Sequence, residues 1–149
     1  MEKFRGSCFK VSLSNEATKE KILSLIAKTQ NGNEPPGTSD GIGNKGYYHW
    51  KHRTFRNAVI DALAMTLNDA AAKRFQAKWL QNHIMVPKEN EEVILEIVSC
   101  LVEECKKREI AIIGGETSIH EYSQELEISI TLSGDEYLSR KQNKFEKGD

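Results

Sequence analysis

The chain has 149 residues, of which 29% are charged, and its 21 basic and 22 acidic side chains give a formal net charge of -1 at pH 7. This length suits one domain with a buried core, and the balanced charge gives no reason to expect nucleic acid as a partner. No run approaches the ~20 apolar residues of a membrane span. No hydrophobic leader follows Met1, so the cytoplasm is the expected compartment.

The first 39 residues predict an extended arm, a helix and a loop. Phe9 to Leu13 alternate apolar and polar residues, as a short strand does. A cap at Ser14 or Asn15 and an apolar face behind it predict a helix to about Thr29, which we expect to pack on the sheet. Residues 30–39 are so rich in Gly, Pro and Asn that they predict a loop.

The next seven residues, Asp-Gly-Ile-Gly-Asn-Lys-Gly at positions 40–46, allow two interpretations. One is a flexible surface turn. The other is a ligand site, because Asp40 is a hard oxygen ligand for magnesium and Lys45 can counter phosphate charge. Gly41 and Gly43 would then permit close approach of the backbone. The residues alone leave both interpretations open.

Two residue pairs have side chains that bind metals. His49 and His52 lie in an aromatic stretch, residues 47–52, that predicts a strand. In a strand a spacing of three points them to opposite faces, and no third ligand is near. Cys100 and Cys105 lie five apart in a helical pattern, which does not place them side by side. We therefore assign no metal to either pair, and the role of the two histidines stays open.

Residues 57–74 predict a long helix that is apolar nearly all round and is therefore expected to be buried on most sides. Asn68 and Asp69 interrupt this apolar segment. A buried carboxylate is costly unless it is paired or bound to a cation. Asp69 therefore needs a structural partner, such as a neighbouring element that it caps, or a metal ion, and both alternatives stay open.

The second half of the chain predicts a strand over 79–86, a helix over 89–109 and an alternating strand over 126–133. The helix has acidic residues near its start and basic residues near its end, as its dipole favours. This order suggests an α/β arrangement. Residues 137–149 are charged and without a period, so we expect a polar tail after a single domain over 1–136.

The strongest site candidate is the segment Ile110 to Thr117. Four apolar residues run into Gly114 and Gly115, which predicts a buried strand that opens into a tight loop. Adjacent glycines allow positive φ and close approach, so their amides could face a phosphate. Glu116 and Thr117 could then reach metal or substrate. A plain turn after a strand is the alternative.

Together, three motifs resemble the ATP-binding N-terminal domain of the aminoimidazole ribonucleotide synthetase superfamily, which includes phosphoribosylformylglycinamidine cyclo-ligase, selenophosphate synthetase and thiamine-monophosphate kinase. The motifs are Asp40-Gly-Ile-Gly-Asn-Lys45, Ala64-Met-Thr-Leu-Asn-Asp69 and Gly114-Gly-Glu-Thr117. The resemblance implies an α/β (α+β) fold with a mixed sheet and helices packed on one face. It also implies a homodimer that uses the sheet edge or face.

The same resemblance implies a site for ATP and Mg²⁺. Asp40 and Asp69 would be the metal ligands, with Asn68 beside them and Lys45 near phosphate. The other residues implied at the nucleotide are Gly41, Gly43, Gly114, Gly115, Glu116 and Thr117. The chemistry shared by the family is ATP-dependent phosphorylation of an amide or similar oxygen. The resemblance identifies neither a substrate nor a catalytic residue here.

The chain also departs from the family pattern. Arg74-Phe-Gln-Ala77 takes the place of a Gly-Ala-Glu-Pro turn, Asn44 replaces a threonine, and Ser118-Ile-His120 replaces Ala-Glu-Met. The family's C-terminal domain, which completes the active-site cleft, has no counterpart in the sequence. Two functions therefore stay open. One is half of an ATP-dependent enzyme that works with a separate C-terminal-domain-like chain, and the other is a non-catalytic dimeric binding or regulatory module.

Overall fold

The computed structural model describes residues 14–136, which form four helices and a four-stranded mixed sheet. In chain order the elements are α1 (Glu16–Ala27), β1 (Gly37–Gly41), α2 (Lys45–His52), α3 (Phe55–Ala72), β2 (Phe75–Val86), α4 (Glu91–Lys107), β3 (Ala111–Ile119) and β4 (Glu127–Glu136). No helix in this part of the chain is long and apolar enough to cross a membrane. The predicted arm at 9–13 and tail at 137–149 lie outside the described residues.

The strands lie in the order β1-β4-β2-β3. β4 pairs antiparallel with β1 and β2, and β2 pairs parallel with β3. Parallel neighbours need a crossover connection, which α4 provides. The inward side chains of β4, namely Ile128, Ile130 and Leu132, are fully buried and confirm the predicted alternation. With α3 and α4 packed against the sheet, this mixed sheet confirms the predicted fold class.

The two long helices are confirmed, but α3 buries one face rather than most of its surface. Ala58, Ala62 and Leu63 face the core, whereas Ile60 and Met65 are exposed. The expectation of burial on most sides is therefore wrong. In a fold of one helix layer on one sheet layer, a helix has a covered face and an open one, however apolar its sequence is.

In α4, the side chain of Asn90 caps the helix by accepting the N–H of Val93 at 3.1 Å. Ile97 and Leu101 are buried on the face that the apolar stripe predicts, as are Cys100 and Cys105. Burial raises the pKa of the Cys105 thiol to about 11, so it stays protonated at neutral pH.

The predicted strand over 47–52 is wrong, because residues 45–52 form α2. Aromatic residues favour strands only where a pleated, half-buried surface receives them. Here Trp50 instead packs on Phe55 from the first turn of α3, with ring centroids 5.8 Å apart. Arg53, in the left-handed conformation with φ 53°, ends the helix and turns the chain into α3.

Two expectations for the N-terminal part are also corrected. α1 forms with Asn15 as its cap, but none of its residues is buried, so the expected packing on the sheet is not observed. The predicted loop over 30–39 ends earlier, because residues 37–39 already belong to β1. Thr38 pairs with Leu132 there and is buried, which gives this polar segment a fixed place in the sheet.

The tight loop predicted at 114–117 is wrong, and so is the burial of the strand before it. Residues 111–119 form one continuous strand, β3, which pairs with β2 at the edge of the sheet. Its position at the edge exposes it, and Ile113 is 57% exposed. A register shift between Leu80 and Gln81 places one extra residue in β3 at Ile113.

Candidate functional site

The predicted site residues lie at opposite edges of the sheet. Asp40 is in β1, and Gly115 is in β3. The pairing register aligns them, through Ile130 and Asn82, in one row across all four strands. Three strand spacings separate the ends of that row by roughly 14 Å. The first and second motifs are therefore brought together within one chain, and the third motif lies apart from them.

Polar side chains fill the junction of β1 and α3, and we call Thr38, Asp40, Asp69 and Lys73 the β1–α3 cluster. The Thr38 hydroxyl is buried, donates to Asp69 Oδ2 at 3.2 Å and accepts from Lys73 Nζ at 3.2 Å. Thr38 and Asp40 are two residues apart in a strand, so their side chains project to the same face. The cluster thus gathers both predicted metal ligands on one side of the sheet.

Asp69 is half-buried and Asn68 is exposed, so the carboxylate does not lie in the apolar interior that the helix pattern indicated. Thr38 is one structural partner of the kind that a half-buried carboxylate requires. A hydrogen bond from a neutral hydroxyl does not neutralise the Asp69 carboxylate. Asp69 can therefore accept this bond and also bind a cation.

Asp40 has local support from its own strand end, where its Oδ1 accepts the N–H of Gly41 at 2.9 Å. Gly43 follows with φ +54°, a left-handed conformation that favours glycine. The flexible-turn interpretation of this motif therefore holds for Gly43, while Asp40 and Gly41 belong to β1.

Lys45 begins α2 and contacts α3. Its Nζ lies 3.2 Å from Asp61 Oδ2, and His49 Nε2 lies 3.2 Å from the same oxygen. His49 Nδ1 is 2.8 Å from Thr54 Oγ1. Burial would raise the pKa of Asp61, but the hydrogen bonds from His49 and Lys45 outweigh it and hold the pKa below its ordinary value. We call Lys45, His49, Thr54 and Asp61 the Asp61 network, which joins α2 to α3.

The strand location of Gly115 explains why it is glycine, because a Cβ there would also lie 2.9 Å from the backbone oxygen of Asn82, whereas Gly114 is less crowded. A Cβ on Gly115 would lie 2.7 Å from Asn82 Nδ2, and one on Gly114 would lie 3.3 Å from Gln81 Nε2. Neither glycine has a positive φ. Glycine inside a strand permits close approach of a neighbouring group, and here that group is an amide side chain of β2.

The remaining residues of the third motif, Glu116 and Thr117, are exposed on the edge strand. Glu116 Oε2 lies 3.9 Å from His83 Nε2 on β2, a distance that allows a weak ion pair when the histidine is protonated. The carboxylate of Glu116 and the hydroxyl of Thr117 are therefore open to solvent at the β3 edge.

Sequence reasoning missed Thr38, Lys73 and Asp61. Lys73 follows Asp69 by four residues in a predicted helix, a spacing that places both on one face. Thr38 precedes Asp40 by two residues, but the loop predicted to residue 39 concealed their common strand. The spacing between Lys45 and Asp61 does not indicate their contact, because a strand at 47–52 would not bring these two side chains together.

Within residues 14–136, no group of three or more His, Cys, Asp or Glu side chains could hold a metal ion by itself. The β1–α3 cluster offers two carboxylates, Asp40 and Asp69. Carboxylate oxygens are ligands that Mg²⁺ prefers, and Mg²⁺ is commonly bound by one or two of them together with substrate phosphates and water. The donor set therefore fits magnesium that arrives with a phosphate ligand.

The sequence matches the model of a family described as AIR synthase related protein, N-terminal domain, over residues 30–135. The phosphoribosylformylglycinamidine cyclo-ligase of Saccharolobus solfataricus is 30% identical over 81 residues, 54% of this chain and 25% of that protein. The same enzyme of Pyrococcus horikoshii is 34% identical over 82 residues, 55% of this chain and 25% of that protein. The matched stretch spans about a quarter of these relatives.

Solved structures show the same fold at low identity. Thiamine-monophosphate kinase from Stenotrophomonas maltophilia has a TM-score of 0.56 and 20% identity, covering 82% of this chain and 42% of that one. The E. coli hydrogenase maturation protein HypE has a TM-score of 0.51 and 17% identity, covering 80% and 44%. AaThiL complexed with AMPPCP and TMP has a TM-score of 0.52 and 16% identity, covering 84% and 44%.

Proposed function

The chain belongs to the family of AIR synthase related proteins, N-terminal domain, and from that premise we propose that it binds ATP or a related nucleotide with Mg²⁺ at the β1–α3 cluster. The observation that carries the proposal is the placement of Asp40 and Asp69 on one side of the sheet, with Thr38 fixing the second carboxylate. The relative complexed with AMPPCP, a nucleotide analogue, supports nucleotide as the ligand class.

Asp40 and Asp69 are the residues that would hold the metal, with Asn68 exposed beside them. Bound magnesium would neutralise part of the charge on the phosphates. Thr38 orients Asp69, since its hydroxyl is buried and has little freedom to turn away. Gly43, where an added Cβ would meet nothing within 4 Å, leaves open space just after β1, where the nucleotide would lie, whereas Gly41 makes room for the backbone oxygen of Ile128 in β4.

We also infer a homodimer that uses the outer face or an edge of the sheet. α3 and α4 cover the inner face. On the outer face, Trp79 of the central strand β2 is 40% exposed, next to Ser133 and Ala111 in register. Within one chain the Gly114–Thr117 segment lies at the opposite edge of the sheet from Asp40.

Such binding would serve the ATP-dependent phosphorylation of an amide or similar oxygen, with a partner chain contributing to the active site. The stretch matched in the cyclo-ligases is about a quarter of their length. We therefore assign no catalytic residue and do not assign the cyclo-ligase reaction to this chain.

Calorimetric titration of Mg-ATP tests the site. Asp69→Asn and Asp40→Asn should each weaken binding by about 10-fold or more, because even outer-shell partners contribute about 10–100-fold to metal affinity. Glu96→Gln removes an exposed carboxylate on α4 and serves as the matched control, with unchanged affinity expected. A folded wild type that ignores millimolar Mg-ATP would refute the proposed site.

Sedimentation of the wild type, Trp79→Glu and Leu95→Glu tests the dimer. Leu95 is 65% exposed on α4, on the helix side of the sheet. Leu95→Glu also replaces an exposed apolar side chain with a carboxylate, so it serves as the control. Only Trp79→Glu should shift the protein toward monomer. A dimer that persists in this variant would exclude the outer face, and a dimer that binds no nucleotide would support the non-catalytic module instead.

A further inference from the structure

Lys45, the lysine that the motif places near phosphate, is engaged elsewhere in this structure. Its Nζ lies 3.2 Å from Asp61 Oδ2, an oxygen that also accepts from His49. The Asp61 carboxylate balances much of the charge of this ammonium, whereas an ammonium with an uncharged partner keeps its charge for a phosphate. A nucleotide at the β1–α3 cluster would therefore gain from a second source of positive charge.

Lys73 supplies a positive charge inside the cluster itself. Its Nζ donates to Thr38 Oγ1 at 3.2 Å, and the same hydroxyl donates to Asp69 Oδ2 at 3.2 Å. The hydroxyl has one proton, which goes to the carboxylate, and a lone pair, which accepts the ammonium. Two hydrogen bonds thus connect the ammonium of Lys73 to a predicted metal ligand, and the hydroxyl between them is 2% exposed.

The position of Lys73 favours a ligand contact as well as this anchor. It is the residue that caps the C-terminus of α3, and it is exposed at the surface. An ammonium has three donors, and the Thr38 hydroxyl uses one of them. The remaining donors can turn toward an anion that approaches the carboxylates from solvent, with Thr38 keeping the stem of the side chain in place.

Charge balance points in the same direction. A triphosphate carries more negative charge than a single Mg²⁺ offsets. A lysine held beside Asp40 and Asp69 offsets part of the remainder and adds a charge-assisted hydrogen bond to a phosphate oxygen. We propose that Lys73 is the phosphate-binding cation of the β1–α3 cluster and that Thr38 is its positioning residue, an inference that rests on the proposed nucleotide site.

Two probes separate this inference from the proposed function. Inorganic tripolyphosphate without magnesium reports on the cation alone, and Mg-ATP reports on the whole site. Lys73→Met should weaken both by about 10-fold or more, the typical contribution of one charged hydrogen bond, and Lys73→Arg should restore most of the affinity. Lys106→Met, which changes an exposed lysine near the end of α4, is the matched control and should change either affinity by less than about twofold.

Thr38 is tested by a second matched pair. Thr38→Val removes the hydroxyl at nearly constant volume and should weaken tripolyphosphate binding, whereas Thr38→Ser keeps the hydroxyl and should retain it. Thermal unfolding of each variant shows that the protein measured is folded. A purely structural role for Lys73 would lower the unfolding temperature without changing either dissociation constant.

The outcomes are distinct. If the wild type binds Mg-ATP and Lys73→Met binds both probes equally well, the inference is wrong and the proposed function stands. If tripolyphosphate binds in a Lys73-dependent way but Mg-ATP does not bind, the inference holds and the magnesium–nucleotide proposal is wrong. If the folded wild type binds neither probe, both are overturned.

Discussion

The two edges of the sheet carry similar-looking motifs, glycines beside an acidic residue, yet they are built differently. At the β1 edge a five-residue strand is covered by α3, and a buried hydroxyl connects a carboxylate to an ammonium. At the β3 edge a nine-residue strand is exposed along most of its length, and its glycines make room for amide side chains. The comparison shows that a glycine in such a motif can serve a turn, as Gly43 does, or make room for a neighbouring strand, as Gly115 does.

The largest expected effect is the loss of stability when Gly46 is replaced by alanine, compared with the same replacement of Gly115. A Cβ on Gly46, in α2, would lie 1.8 Å from the backbone carbonyl oxygen of Leu126, which cannot move without displacing β4. Gly46→Ala should destabilise the fold by about 3 kcal/mol, despite the better helix propensity of alanine. Gly115→Ala should cost less, about 1–2 kcal/mol, because its nearest atom belongs to the movable side chain of Asn82, although the backbone oxygen of Asn82 also lies 2.9 Å from the added Cβ and requires a shift of the exposed edge strand.

Urea unfolding of both variants measures the difference. Gly114→Ala is the control at the β3 edge, since its Cβ would meet only Gln81 side-chain atoms at 3.3 Å or more. An equal loss for Gly46→Ala and Gly115→Ala would mean that the two edges tolerate added volume alike. The covered β1 side would then be no less tolerant of added volume than the exposed β3 edge.

Much of this architecture is predictable from the sequence, and the failures have definite causes. Periodicity over many residues identifies α4 and β4, because each buries one regular face, whereas a long apolar segment identifies α3 but not which face it buries. Periodicity fails for α2, a short segment whose aromatic composition favours a strand while its contacts with Phe55 and Asp61 favour a helix. Local propensity is weak compared with such tertiary contacts.

Only part of the candidate site is predictable from the sequence, again because some of its contacts are tertiary. Asp40 and Asp69 follow from motif residues, and Lys73 follows from Asp69 by helix spacing. The role of Thr38 depends on β1, whose partner in the sheet, β4, begins at Glu127, 86 residues after β1 ends at Gly41. The two glycines of the third motif depend on Asn82 and Gln81 in another strand, which local sequence does not reveal.

The next effect compares two carboxylates, Glu104 on α4 and Asp61 on α3. Hydrogen bonds from Lys107 and Arg108 lower the pKa of Glu104 from 4.5 to about 2. A carboxylate with a lowered pKa stabilises the folded state above its ordinary pKa, and this contribution is lost as the pH falls through the folded value. Glu104→Gln should therefore destabilise the protein at pH 7, with the difference from wild type narrowing between pH 4.5 and about 2.

Asp61→Asn should show the same sign with a smaller loss. Its pKa is lowered by His49 and Lys45 against the effect of burial, and its side chain is 35% exposed. Solvent screening reduces such a contribution to about 0.5–1 kcal/mol. Urea midpoints at pH 7, 4 and 2.5 measure both variants. A difference between Glu104→Gln and wild type that is constant with pH would show that the ion cluster on α4 does not depend on the charge of Glu104.

The smallest effect is a gain in stability at the helix end that leads into β3. Glu109 follows α4 with φ 56°, and Arg74 follows α3 with φ 58°. This left-handed conformation costs a residue with a Cβ about 1–2 kcal/mol in steric strain. Glycine avoids that strain but loses about 0.5–1 kcal/mol more in backbone entropy on folding. Glu109→Gly should therefore stabilise the fold by about 0.5–1 kcal/mol, because the exposed glutamate side chain contributes no packing that offsets the gain.

Arg74→Gly provides the comparison at the other helix end, next to the β1–α3 cluster. Arg74 is half-buried and engaged with other groups, so its removal should give a smaller gain than Glu109→Gly, or a loss. Glu109→Ala keeps the Cβ and should give no gain, which separates relief of backbone strain from removal of a charge. If Arg74→Gly stabilised the protein as much as Glu109→Gly, the side chain of Arg74 would contribute nothing at this end of the sheet.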